Sequence, residues 1–509
     1  MFPVIDIFAG PGGLGEGFCS MNGVEEESPF DVQLSIEAES NAVNTLIIRS
    51  VYRLLRKEKR IEKYMAWLNQ PSPTLESLGR LLPEYVKKAR NTVWQYTLQP
   101  DNCEELNDKI RKTLNGQKNW VLVGGPPCQA YSLIGRVKNR SVKGYSVKDD
   151  PRYQLYKVYL DILSEHRPTA FLLENVKGIL SARFNQDSVI RGIMNSLQEK
   201  GYHLFSLVTA SESGIFGGIS QPQDFVIHSE NYGVPQKRHR IIILGIRNDM
   251  DIVPEILTNQ KKAVTVAEML SGLPQLRSHF SARLDHARAK EDLDQEWKGW
   301  FSKIGEKPWF KEIEDPQVRD KIKTTANKIS QYKYCSQKTW QPSSSSAIPP
   351  CLAWVQGTTP PNVPIHHESR SHMDTDLYRY LFVASYTAIH KKSPKLAQFP
   401  NGLLPNHRNV DSGNFVDRFR AQFADEPSTT ITSHISKDGH YYIHPDPIQC
   451  RSLTVREAAR LQTFPDNYFF SGNRTEQFHQ VGNAVPPFLA KQIAQIVCKI
   501  CEFAGNMEK

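Results

Sequence analysis

The sequence predicts an α/β protein built on a doubly wound, mostly parallel sheet, with a second, loop-rich module set into the chain. Short apolar runs that stop at glycine, proline or an acid alternate with helix-period segments through the first half, the pattern of strand–helix–strand units. From about Leu273 to His444 this alternation gives way to charged and aromatic stretches broken by QPSSSSAIPP and TTPPNVP. Order returns at Leu453. The expected division is a first domain over 1–270 with a helical insertion at about 48–100, a module over 271–445, and a segment over 446–509 that rejoins the first domain. The 509 residues suffice for two such cores.

PVIDIFAGPGGLGEGF runs from a strand through a glycine turn toward a helix, and DVQLSIEAES is a second strand ending in acid. Residues from about Asn41 to Arg90, rich in Lys, Arg, Glu and Leu without strong breakers, form the inserted helical layer. VLVGG at 121–125 is a further strand, followed by a polar Ser, Arg, Lys and Gly-rich segment to about Lys148. YQLYKVYLDILSEH then reads as a helix with Leu155, Val158, Tyr159 and Ile162 on one face, closed by Pro168. TAFLLENV and HRIIILGIRND are two more strands. In LTVREAARLQ, Thr454 and Glu457 have capping-box spacing, with Leu453 and Ala458 placed for the hydrophobic staple. QVGNAVPPFLAKQIAQIVCKI is a glycine turn and an amphipathic helix.

Composition excludes several classes. The eight cysteines show no dense framework, which points to a reducing, intracellular setting. No apolar run approaches the roughly 20 residues that a membrane span needs. Cys498 and Cys501, spaced C-x-x-C, lie on an apolar helical stretch with no second ligand pair, so a packed helix face is preferred to a metal site. A net charge of +9 mildly favours a polyanionic partner.

Four features carry chemistry. Gly10, Gly12 and Gly15 fit G-x-G-x-x-G after a strand, and Glu37 ends the next strand where an acid commonly holds a ribose diol; a dinucleotide and S-adenosylmethionine both remain open. Cys128 follows Pro126-Pro127 at a strand end, where open α/β folds bind ligands, so it is a candidate nucleophile as well as a candidate small buried hydrophobe. Glu174 also ends a strand, as a surface acid or as a proton donor facing that thiol. In QKRHR, alternation puts Arg238 and Arg240 on one side of the chain, as a solvated basic edge or as paired guanidiniums aimed into the site.

These stretches, in this order, resemble the DNA (cytosine-5) methyltransferase family, in particular its bacterial type II modification methylases. DIFAGPGGLGEGF is similar to the family's cofactor loop, GGPPCQAYS to its Pro-Cys loop, ENVKG to its Glu-Asn-Val motif and QKRHR to its Gln-x-Arg-x-Arg motif. RSLTVREAARLQTFPD and QVGNAVPP resemble its two C-terminal motifs. The resemblance covers roughly 1–47, 120–250 and 450–498.

The resemblance implies a Rossmann-like fold and an enzyme that moves a methyl group from S-adenosylmethionine to carbon 5 of a flipped-out cytosine in duplex DNA, without a metal. It implies Cys128 as nucleophile, Glu174 as the group holding the cytosine edge, and Arg238 and Arg240 beside them. For the cofactor it implies Phe8, Gly10, Gly12, Leu14, Glu37, Pro127, Leu155, Asn483 and Val485, with Asp101 as the adenine-binding acid. Ala38 departs from the bulky residue the family often has against the adenine. Gln129, Ser132, Arg136, Lys138 and Arg140 are expected on DNA, and a loop over 131–149 carrying Arg136, Lys138, Arg140, Lys143 and Lys148 is expected to close on phosphates. HHESRSHM, HRNVDSGNFVDRFR and SHISKDGHYY, in the 271–445 module, mix the side chains that read bases. Further expectations are a monomer on DNA in the bacterial cytoplasm or nucleoid, a separately acting cognate endonuclease, and a role in restriction-modification or epigenetic marking. A tRNA cytosine-5 methyltransferase and a non-catalytic DNA-binding regulator are the alternatives. The characteristic Cys-Phe-Thr signature of the tRNA branch is missing, and intact Cys128, Glu174 and Arg240 oppose the regulator.

Overall fold

The computed structural model describes residues 1–99, 103–126, 151–184, 187–210, 221–278, 293–331, 339–340, 348–405 and 418–507. Its sheet contains β1 (Phe2–Ile7), β2 (Phe30–Glu37), β3 (Val93–Gln95), β4 (Val121–Gly124), β5 (Ala170–Val176), β6 (Tyr202–Phe205), β7 (Val226–His228) and β8 (His239–Arg247). The order is β3-β2-β1-β4-β5-β8-β6, with β7 paired to β8. β3, β2, β1, β4 and β5 run parallel, and β8 is antiparallel to β5, β6 and β7. The expected mostly parallel, doubly wound sheet is thus observed. Chain order reverses between β1 and β4, the position at whose carboxyl edge open α/β sheets bind ligands.

Both faces of the sheet are covered, so its central strands are continuous apolar runs. One face packs Val4, Val121, Val123, Leu172 and Ile242 against Leu489, Ile493 and Val497 of the helix Pro487–Met507. The other packs Ile5, Leu34, Leu122, Leu173 and Ile243 against Ile110, Tyr159 and Ile162 of the helices Cys103–Leu114 and Pro151–His166. Cys498 and Cys501 are buried on the first of these helix faces, as the packing alternative requires. Burial pushes the Cys498 thiol up to about 11.

The inserted layer consists of the helices Ser40–Lys57, Ile61–Leu68, Leu75–Leu81 and Pro83–Thr92. Its apolar side shares one core with Val266, Leu352, Trp354, Ile431, Leu453 and Phe478. A separate core unites Trp297, Phe301, Ile322, Tyr380, Phe382 and Phe399. The span 271–445 therefore contributes to two cores and is more helical than its loop-rich reading, with helices at Leu293–Phe301, Pro316–Gln331, Pro350–Gln356 and Asp374–His390. The Thr454–Glu457 capping box is formed, opening the helix Val455–Leu461.

Candidate active site

The glycine turn after β1 holds its shape through Glu37 at the end of the neighbouring strand. One carboxylate oxygen accepts the Gly10 N–H at 2.7 Å, and the other accepts those of Ala38 and Glu39 at 2.8 and 2.9 Å. Phe8 and Gly10 both sit at φ 54°, a region costly for an L side chain and free for glycine. A Cβ built on Gly10 meets nothing within 4 Å, so the turn faces open space. Gly12 caps the helix Gly13–Cys19, on which Leu14 is buried. The carbonyl oxygen of Val485 lies 2.2 Å from where a Cβ would stand on Gly13, which brings the QVGNAVPP turn against the glycine turn. Asn483 is exposed at the end of the helix Arg474–Asn483, and Leu155 is half-buried on the same apolar cluster as Phe8. Of the predicted cofactor residues, Gly10, Glu37 and Val485 are thus brought together along the carboxyl edge of β1 and β2.

The expected carboxylate and guanidinium lie at β5 and β8. Glu174 and Arg240 approach to 3.0 Å, and the two side chains remain 17% and 15% exposed. Register explains the pairing: Glu174 stands opposite Ile242, so its side chain shares a face with Arg240, two residues along. A Cβ on Gly125 would fall 2.8 Å from a Glu174 carboxylate oxygen, so only glycine lets the end of β4 come this close. Asp101, Pro127, Cys128, Gln129, Ser132, Arg136, Lys138 and Arg140 lie outside the described residues.

Arg238 is placed differently from its expected pairing with Arg240. It does not share a regular strand with Arg240: Gln236–Lys237 pairs with Ser428–Thr429, and Arg238 N–H bonds back to Gln236 O before β8 begins. Its buried guanidinium donates to the carbonyls of Ile431 at 2.9 Å and Gly482 at 3.2 Å. Gln236 extends the joint, donating to Leu461 O and Gln462 Oε1 and accepting from Ile431 N–H.

Sequence reading also missed a charge network beneath the cofactor turn. Glu16, buried in GLGEGFC, binds Arg49 and Arg53 of the inserted layer, and Arg49 continues to Asn467. Burial works against the charge, but Arg49, then Arg53 and Arg56, more than offset it and pull Glu16 down to about 2. The signal was available: a charge in a glycine-rich apolar helix, and arginines at 49, 53 and 56 on one helix face.

Several histidines expected to read bases are structural. His366 is half-buried, accepts from Phe470 N–H and is pushed down to about 3 by desolvation and then by Arg456; His367 is buried and bridges Thr454 and Pro274 O. His372 and His440 are also buried, on Tyr380. His434, Lys437 and Tyr441 stay exposed, with Arg420 5.7 Å over the Tyr441 ring.

Fold and site together describe a doubly wound α/β protein that presents a carboxylate and a guanidinium side by side on neighbouring strands. The chain matches the C-5 cytosine-specific DNA methylase family over residues 82–499. It is 30% identical to the type II methyltransferase M.Bpa9945I of Bacillus paralicheniformis, over 97% of this chain and 98% of that one. It is 26% identical to the type II methyltransferase M.AgeI of Thalassovita gelatinovora, over 97% and 98%. With the DNA (cytosine-5-)-methyltransferase M.ApeKI of Aeropyrum pernix it shares 25% identity over 76% and 83%. A solved DNA modification methyltransferase encoded within an E. coli prophage shares the fold, with a TM-score of 0.52 and 18% identity over 99% and 100%. This chain belongs to the C-5 cytosine-specific DNA methylase family and is an enzyme of that class. Its methyl donor is S-adenosylmethionine and its substrate is DNA. Among the described residues no helix is long and apolar enough to cross a membrane.

Proposed function

We propose that this chain is a type II modification enzyme that methylates carbon 5 of a flipped-out cytosine in a specific duplex sequence through a covalent Cys128 adduct. The observation that carries the assignment is the Glu174–Arg240 pair packed against Gly125, three residues before Cys128. S-adenosylmethionine, when bound, supplies an electrophilic methyl group on a sulfonium. The glycine turn fits it: Gly10 faces open space, and Phe8, Glu37 and Val485 border the same edge. Leu155, Asn483, Pro127 and Asp101 complete the cofactor set in this reading.

Carbon 5 of cytosine is too weak a nucleophile on its own. Addition of the Cys128 thiolate to carbon 6 breaks the aromatic system and makes carbon 5 enamine-like. Glu174 hydrogen-bonds ring nitrogen 3 and the exocyclic amine, stabilising the charge that the addition pushes into the ring, and Arg240 fixes the carboxylate for that contact. Once carbon 5 carries the methyl group, loss of its proton re-forms the double bond and expels the thiolate. Arg238 acts behind these groups by fixing the run-in to β8.

The target carbon is stacked inside a duplex, so the base is extruded, at a cost of about a few kcal/mol. Gln129, Ser132, Arg136, Lys138 and Arg140 offset it by holding the opened duplex and its phosphates. Sequence is read by the exposed side chains of His434, Lys437 and Tyr441, together with half-buried Arg420 beside Tyr441. The enzyme acts as a monomer in the bacterial cytoplasm or nucleoid, alongside a separate endonuclease of the same specificity.

Tritiated methyl donor tests the reading: duplex DNA becomes labelled and tRNA does not, and the reverse result would sink it. Duplex carrying 5-fluorocytosine at the site should trap the Cys128 adduct, because fluorine cannot leave as a proton. Cys128→Ser should trap nothing and turn over nothing.

A further inference from the structure

Trp94, in β3, and Tyr96, just past its carboxyl end, are two residues apart on extended chain and present their rings on one side. The rings stack with centroids 3.9 Å apart and planes inclined by 21°. Both residues are half-buried and rest on the apolar cluster that Phe8 also joins, and the Tyr96 hydroxyl donates to Glu105 at 2.9 Å.

The pair is tied to β2 where the predicted ribose-binding acid stands. Ile36 is registered with Trp94 and Glu37 with Gln95. The Tyr96 N–H continues this ladder by donating to Glu37 O at 2.9 Å, and Gln95 Nε2 donates to Ala38 O at 3.3 Å. One more step of the same register sets exposed Ala38 beside Tyr96. A methyl group offers no face on which a flat ring can lie.

Strand order decides which part of the cofactor comes here, resting on the assignment of S-adenosylmethionine to the glycine turn. The methyl group must reach the cytosine chemistry, where Gly125, just past β4, packs on Glu174 of β5. Glu37 ends β2, on the other side of β1 from β4. A nucleoside with its ribose at Glu37 and its sulfonium toward β4 therefore directs its base away from β4, to the ends of β2 and β3. Adenine is a flat aromatic ring, and such rings bind well on the face of a tyrosine. Trp94 covers the Tyr96 face that looks back along β3, so the stack continues toward the carboxyl edge. Trp94 behind, Glu105 at the hydroxyl and the ladder at the backbone hold the ring in place, so little side-chain freedom is lost when a ligand lands on it.

We infer that Tyr96, backed by Trp94, is the platform on which the adenine ring of S-adenosylmethionine stacks, moving to β3 the contact that Ala38 cannot make at the end of β2.

The test is isothermal titration of the full chain with S-adenosylhomocysteine in the absence of DNA, with the melting temperature of each unliganded variant recorded alongside. Tyr96→Leu and Tyr96→Gln keep bulk at this half-exposed position but no aromatic face, and each should weaken binding by about 10- to 100-fold at an unchanged melting temperature. Tyr96→Phe keeps the ring and loses only the hydroxyl contact with Glu105, so it should bind as wild type does. A merely structural role would lower the melting temperatures and would not separate Phe from Leu and Gln. Wild-type affinity in Tyr96→Leu and Tyr96→Gln, or an equal loss in Tyr96→Phe, would overturn the platform and leave the cofactor site standing. Failure of the wild type to bind S-adenosylhomocysteine would overturn both.

Discussion

Near the end of β5 the Glu174 carboxylate meets one guanidinium at 3.0 Å, and both side chains stay partly exposed. Beneath the cofactor turn the Glu16 carboxylate meets Arg49 at 2.5 Å and Arg53 at 3.2 Å, and neither Glu16 nor Arg49 is more than 1% exposed. The groups are the same, but their uses differ. A carboxylate saturated by buried cations cannot exchange them for a substrate, whereas Glu174 has lone pairs and surface left for a base edge. The Glu16 network instead docks the inserted helical layer and Asn467 onto the helix after the cofactor turn. Exposure and spare hydrogen-bonding capacity, more than residue type, separate the pair proposed to react from the structural one.

Charge-neutral substitutions test this contrast. Glu174→Gln should lower kcat by about 10²–10⁴-fold and leave the melting temperature near wild type. Glu16→Gln should do the opposite, removing about 3–5 kcal/mol of stability because Arg49 is left buried without its counter-charge. Steady-state kinetics and denaturant melts on both variants decide the matter. A stable Glu16→Gln, or a Glu174→Gln that is unstable but normally active when folded, would break the comparison.

The arginines of QKRHR provide the next test. Arg238 satisfies buried carbonyls on two other segments, while Arg240 faces Glu174. Arg238→Met should lose stability in the range of about 1–3 kcal/mol for each carbonyl left unpaired. Arg240→Met should lose turnover out of proportion to its smaller change in melting temperature. If Arg238→Met instead raises KM for DNA at constant stability, its guanidinium belongs to the site after all.

The parts legible in the sequence are those in which one local rule decides the structure. The runs that became β1, β2, β4, β5 and β8 are long, apolar and cleanly ended, and Glu37 and Glu174 were placed because they end such runs. β3, β6 and β7 are short edge or near-edge strands, whose pairing depends on neighbours rather than pattern. Alternation failed at Arg238 because the strand breaks there, between Gln236–Lys237 and β8, a long-range choice made by Ser428–Thr429 and Gln462. The module's histidines looked suited to base reading but were claimed by packing, as the Thr454–His367–Pro274 bridge illustrates.

Asp6 supplies the most direct test, because it lies beneath the same turn as Glu16 and titrates in the opposite sense. Burial raises its carboxyl to about 7, and Arg53 and the Gly15 N–H oppose this only in part. Between pH 3.8 and about 7 the unfolded chain has released this proton while the folded chain keeps it. The folded state binds more protons there, so stability falls as pH rises, by up to about 1.4 kcal/mol per pH unit from this group. Asp6→Asn removes that dependence. The melting temperature of the variant relative to wild type should therefore climb across this window and level off above it. A difference that grows on acidification would mean that Asp6 is held ionised like Glu16, and that the contrast beneath the cofactor turn is false.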